Sequence, residues 1–238
     1  LRFAHPTKNL ISIENFMNIN DLSIGKRLGA SFGGMAIITL LLGLLAVTGI
    51  QSLATHTQHI GANRIPALIA LAQLNRERMT IRAQTQAVFA HDHGMYAEAE
   101  KGLRGIQQER QKSWQKVEQW WEALLKIPRT SEKGRALQQQ AQEQYQAWRA
   151  IYVDLDDLIA RIAAAADAGQ KQALYAEYRQ TVGRMVPISD RMGQTFDALT
   201  DNNTARTRQI ISEDEIMATR LQTWAIVATV ISVVLAAL

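Results

Sequence analysis

Residues 65–89 read IPALIALAQLNRERMTIRAQTQAVF, and their spacing decides the fold. Ile65, Leu68, Ala72, Asn75, Met79, Arg82, Gln86 and Phe89 alternate steps of three and four, the rhythm of helices packed side by side. A neighbouring stripe, Leu71, Leu74, Arg78, Ile81, Thr85 and Val88, repeats it. Two adjacent seams on one helix fit either one wide core face or a helix that packs within its own bundle and also against a second copy. The stripe Leu174, Tyr178, Thr181, Met185, Ile188, Met192, Phe196 and Leu199 has the same period, interrupted by Pro187. Proline lacks a backbone donor and clashes with the preceding turn, so a kink or short break is expected near Gly183 to Val186.

Working outward, breakers divide the middle of the chain at Gly94, at Pro128 and at Ala168-Gly169. Four long helical segments result, about 51–91, 95–126, 131–167 and 170–220. Thr130 or Ser131 can cap the third, with Glu132 in its first turn. The fold class is all-α: an antiparallel up-down-up-down four-helix bundle, flanked by two transmembrane helices. Composition agrees, with 47% hydrophobic residues, 6% aromatic and four prolines.

The flanks are apolar. Leu28 to Ile50 carries no charge and is long enough to cross a bilayer core. It is too long for the apolar region of a signal peptide, and Val47-Thr48-Gly49-Ile50 makes a poor cleavage site. Leu221 to Leu238 forms a second uncharged run, with Trp224 near its start. Lys26 and Arg27 before the first run place the N-terminal side in the cytoplasm. The expected organisation is a cytoplasmic segment 1–27, transmembrane helix 28–50, an extracytoplasmic domain 51–220 (periplasmic in a Gram-negative cell) and transmembrane helix 221–238. Residues 1–16 read as upstream sequence or as an open choice of start site, with Met17 opening a compact lead into the first span.

Few side chains are placed to carry chemistry. The absence of cysteine excludes disulfides, thiolate nucleophiles and cysteine-ligated metals. The net charge of +4 is dispersed, so no nucleic-acid partner is expected. His56 and His59, and His91 and His93 around Asp92, lack the carboxylate pattern of a metal site, and no metal or other cofactor is expected. No phosphate-cradling loop and no nucleophile with a base can be assembled, so the chain does not read as an enzyme. Trp114, Trp120, Trp121 and Trp148 read as core or interface. Arg78 and Arg82 are more informative. They share a helix face within largely apolar stripes, and their mutual repulsion is relieved if an external anion or a carboxylate from another helix sits between them. Snorkelling of both to water is the alternative, and Arg76 points elsewhere.

Leu22-Ser23-Ile24-Gly25-Lys26-Arg27-Leu28-Gly29, Asn63-Arg64-Ile65-Pro66-Ala67-Leu68, Trp121-Glu122-Ala123-Leu124 followed by Pro128-Arg129, and Asp201-Asn202-Asn203-Thr204-Ala205, in this order between two spans, resemble membrane-bound methyl-accepting chemotaxis proteins whose periplasmic sensor is a four-helix bundle. The resemblance implies a homodimer that binds a small molecule, with amino-acid carboxylates held by first-helix arginines at the dimer interface. Arg78 and Arg82 match two of those arginines, while the third position falls on Gln73. That departure argues against an aspartate- or serine-type ligand and opens the class to organic acids, aromatic acids or other small molecules. The resemblance also implies a threonine-containing stretch in the fourth helix, matched best by Thr181 with Tyr178. Counting rise from the far end sets the arginines level with 178–182, and counting from the membrane sets them near 190. The cytoplasmic signalling domain that such receptors carry is not among these residues. The input domain of a sensor histidine kinase or cyclic-dinucleotide enzyme, and a structural envelope tether, are the competing readings.

Overall fold

The structure, a computed structural model, describes residues 23–92 and 96–237. Its elements are α1 (Ile24–His59), a π-helical turn (Ile60–Arg64), α2 (Ile65–Ala87), a 3₁₀ turn (Val88–His91), α3 (Tyr96–Lys126), α4 (Glu132–Ala164) and α5 (Ala168–Ala237). All are helical, as the periodicity requires. His93, Gly94 and the expected start of the second segment at residue 95 lie outside the described residues, as does nearly all of the N-terminal segment 1–27.

Local chemistry sets the boundaries. Ser131 is the cap of α4: it has extended backbone, and its Oγ accepts from Gly134 N at 3.1 Å. Asp167 does the same for α5, with Oδ2 accepting from Gln170 N at 2.7 Å, so Ala168-Gly169 belongs to the first turn rather than to the break. The expected short break is absent. The helix is not interrupted near Gly183 to Val186; α5 runs through Pro187, where the surrounding packed side chains outweigh one lost backbone bond. A widening occurs elsewhere, at Ile60–Arg64, where the Ile65 N–H reaches back five residues to Ile60 O. Pro66 has no N–H to give to Ala62, and a wider turn accommodates its ring.

The chain forms two compact units, one of residues up to Ser52 together with those from Glu215, the other Leu53–Asp214. In the first, α1 buries no residue, and Leu40, Ile50, Trp224 and Val230 are exposed. Two helices here are long and apolar enough to cross a membrane. Gly49 lies so near Leu221 that a Cβ would collide with it, and Gly34 faces Leu235.

The second unit is an antiparallel bundle. Successive bonds to α5 from α2 and the π turn before it, Tyr178 to Thr85, Arg78 to Ser189 and Arg64 to Asn203, rise on one member of the pair as they fall on the other. Pairs between α3 and α4 behave likewise: Arg110 with Asp156, Trp114 with Trp148, Trp121 with Tyr145. The inner stripe Leu71, Leu74, Arg78, Ile81, Thr85 and Val88 is buried throughout. Trp114, Trp121 and Trp148 are core residues, with Trp121 stacked on Tyr145 at 4.3 Å. Complete burial of such large side chains contributes about 1.5–3 kcal/mol each. The two segments Asn63–Leu68 and Asp201–Ala205 meet: Arg64 Nη1 donates to Asn203 Oδ1 at 3.1 Å, and Asn203 Nδ2 donates back to Arg64 O at 2.9 Å.

Candidate ligand-binding face and the polar core beneath it

Arg78 and Arg82 project from α2 toward α5, one beneath the surface and one at it. Arg78 is buried. Its Nε and Nη2 donate to Asn75 Oδ1 at 3.0 and 2.8 Å, and its Nη1 donates to Ser189 O at 2.8 Å and to Ser189 Oγ at 3.1 Å. These acceptors are neutral. Burial pushes the Arg78 guanidinium below its ordinary pKa, and the charge of Arg82 adds to this, while Asp190 and Asp197 pull the other way. Gly193 makes the space: a Cβ there would stand 2.5 Å from Arg78 Nη2.

Arg82 is partly exposed, and its Nη1 donates to Asp190 Oδ1 at 2.5 Å. A carboxylate from another helix therefore reaches Arg82, one of the two arrangements the sequence suggested. The face still holds two guanidinium groups beside one directly bound acid. Arg76, as expected, is exposed on a different side.

The structure does not bring Tyr178 and Thr181 to this face. The arginines meet Ser189, Asp190 and Gly193, two to three turns further along α5, so the register counted from the membrane side is the correct one. Thr181 is buried and accepts from Arg184 Nη2 at 3.1 Å. Tyr178 lies wholly inside the bundle, where its hydroxyl donates to Thr85 O at 3.1 Å.

Tyr178 belongs to a network that sequence reasoning missed. Arg110 of α3 is completely enclosed; its Nη1 donates to Asp156 Oδ1 at 2.7 Å, and Nη2 donates to Thr85 Oγ1 at 3.3 Å and to the Tyr178 hydroxyl at 3.4 Å. The Thr85 proton is already on Ile81 O at 2.7 Å, so the Tyr152 hydroxyl, 3.4 Å away, is the donor to Thr85 Oγ1. Burial drives the Tyr178 hydroxyl up to about 12 despite the nearby Arg110 charge. Burial also pushes the Asp156 carboxyl up, against the pull of Arg110. The missed signal was an arginine at a seven-residue repeat of core positions, Leu103, Arg110, Val117 and Leu124.

The family model described as Tar ligand binding domain homologue matches residues 18–186, well over half of the chain. The match includes Arg78, Arg82, Arg110, Tyr178 and Thr181 and ends just before Ser189 and Asp190. No curated protein matches, and no solved structure does.

Proposed function

Because the chain belongs to the family of Tar ligand-binding-domain homologues, and so carries a chemoreceptor periplasmic sensor domain, we propose that it binds a small carboxylate at the Arg78–Arg82 face and signals across the inner membrane through α5 to control chemotaxis. The chain is a membrane protein with a periplasmic segment. The proposed boundaries are spans at 28–50 and 221–238 with the sensor at 51–220. Its task in this reading is binding, not catalysis, and its output partner is a cytoplasmic signalling domain.

The observation that carries the reading is the charge at this face. Arg78 is held by neutral acceptors, and Arg82 shares an exposed acid that a competing carboxylate can displace. An incoming carboxylate would accept charge-assisted bonds from Arg82 and reduce the repulsion between the two guanidinium groups. Tyr178 and Thr181 are not part of this site, since both are engaged in the core.

We propose further that the sensor works as a homodimer formed through α2. Beside the arginines runs a stripe left uncovered by the bundle: Ile65, Ile69, Ala72, Arg76, Met79, Ala83 and Gln86 are all exposed, again in steps of three and four. Ile65, Ile69 and Met79 are 50%, 46% and 49% exposed, too much apolar surface in one line for a face that meets only water. A second copy laid along it would border the Arg82–Asp190 pair. Signalling then requires that the ligand bind one position of α5 more tightly than another.

The test is calorimetric titration of small carboxylates into the full chain, beside Arg82→Ala. The variant is expected to stay folded and to lose carboxylate binding, and Arg82→Lys is expected to restore it only partly, because a point charge does not reproduce a fork. If Arg82→Ala instead unfolds the domain and leaves the affinity of the surviving fraction unchanged, the pair is a structural link to Asp190 and the site assignment fails.

A further inference from the structure

Four arginines gather where the π turn, the α3–α4 loop, the start of α4 and the later part of α5 meet. Arg64 ties these elements: its Nη1 donates to Asn203 Oδ1 at 3.1 Å, and its Nη2 donates to Thr130 Oγ1 at 3.4 Å, next to Arg129. Arg206 lies one turn beyond Asn203 on α5. Gly134 lets α4 approach, since a Cβ there would stand 2.8 Å from Ser131 Oγ, 3.3 Å from Asn202 Nδ2 and 3.8 Å from Arg129 Cβ. A shallow cavity of about 320 Å³ opens here, with Leu125, Pro128, Arg129, Arg135, Gln138 and Gln142 in its wall. Each of these six keeps surface open to solvent, and the volume suits a small molecule.

The cations lack an anion. Arg64, Arg129, Arg135 and Arg206 form no ion pair among the described residues, and the wall of the cavity contains no acid. Their acceptors are neutral: Asn203 and Thr130 for Arg64, Gln138 Oε1 at 2.9 Å for Arg129 and Gln209 Oε1 at 2.7 Å for Arg206. The nearby acids Glu132 and Asp201 are exposed and bound to none of the four. Burial pushes the Arg64 guanidinium below its ordinary pKa, and the charge of Arg206 pushes it further; burial and the charge of Arg64 act likewise on Arg129. At Arg78 two acids pull the other way, and here none does. Arg129 shows the lack most directly. Its Nη2 is enclosed without an acceptor, while its Nη1 carries no bond and is open to solvent.

We infer that this cavity binds a phosphate group, at a site separate from Arg78 and Arg82. The phosphate oxygens accept from Arg129 Nη1 and from the exposed Arg135 guanidinium. A compact dianion suits the place better than a carboxylate. Two guanidinium groups line one small cavity, Arg64 and Arg206 add to its positive field, and a guanidinium fork matches phosphate oxygens. Binding offsets a repulsion among cations that the fold alone leaves standing, so the occupied sensor resists unfolding more than the empty one.

The probe is pyrophosphate, titrated by calorimetry into the full chain in phosphatidylcholine nanodiscs, with succinate and sodium chloride at matched ionic strength as controls. Pyrophosphate is expected to bind tenfold or more tightly than succinate. Arg129→Gln and Arg135→Gln are each expected to weaken it about tenfold, and Arg82→Gln to leave it unchanged. Without ligand, Arg135→Gln is expected to melt no lower than the parent, because that exposed side chain makes no bond to lose, so its loss of binding cannot come from misfolding. Unchanged affinity in discs containing phosphatidylglycerol assigns the site to a soluble phosphate; a tenfold fall there assigns it to lipid headgroups, with the same arginines. Failure of pyrophosphate to bind, or equal binding in the parent and Arg135→Gln, overturns the site. Succinate binding as tightly as pyrophosphate overturns the ligand class. Loss of pyrophosphate binding in Arg82→Gln alone overturns this cavity and moves the anion to the α2 face.

Discussion

An enclosed guanidinium must keep every acceptor it has, because a buried charge without its partner is far costlier than a pair that was never formed. Arg110 is in that position, with Asp156, Thr85 and Tyr178 around it. Arg110→Ala is expected to destabilise the sensor by about 3–5 kcal/mol in urea unfolding. The double change Arg110→Met with Asp156→Leu should fall closer to the parent, since it removes both charges together. The phenols nearby set a limit in alkali. Tyr175 and Tyr178 are pushed up to about 12, so the folded chain keeps those protons past about pH 10, where unfolded tyrosine ionises. A raised folded-state value means that the stabilising contribution is complete below about pH 10 and is lost as pH climbs toward 12. The urea midpoint should therefore drop across that interval, and Tyr175→Phe should lessen the drop.

At the scale of the helix, α2 presents two faces with different fates. The inner stripe was legible from spacing alone, because every third or fourth residue from Leu71 to Val88 falls in the core. The partners of Arg78 and Arg82 were not. They depend on the vertical register of α5 against α2, which two counts from opposite ends could not fix. Arg110 was equally hidden: a single cation on a seven-residue repeat becomes meaningful only when Asp156 of α4 and Tyr178 of α5 are known to converge on it. The outer stripe gives a clean experiment, since the chain contains no cysteine to interfere. Met79→Cys is expected to form a disulfide-linked dimer under mild oxidation through the exposed α2 face. Arg149→Cys, on α4, is expected to remain monomeric on the same gel. Equal cross-linking at both positions would count against the α2 interface.

Across the whole chain, the all-helical class was readable from composition, breakers and period, and the Ser131 cap from its residue type. The π turn was not, because it reflects how one proline and its neighbours settle under packing rather than any pattern in side-chain polarity. Its consequence concerns how the gene can change. Every residue added to or removed from a regular helix turns all that follows by about 100°, so a one-codon deletion among residues 70–74 would swing Ile81, Thr85 and Val88 out of the core. Residues 60–64 already hold a turn with one residue more than an α-helix needs. A codon lost there can be absorbed by tightening that turn, leaving the phase of α2 intact. In a deletion scan read by protease resistance, single losses at 60–64 should survive where those at 70–74 do not, making this short stretch the place where length variants of the sensor can accumulate.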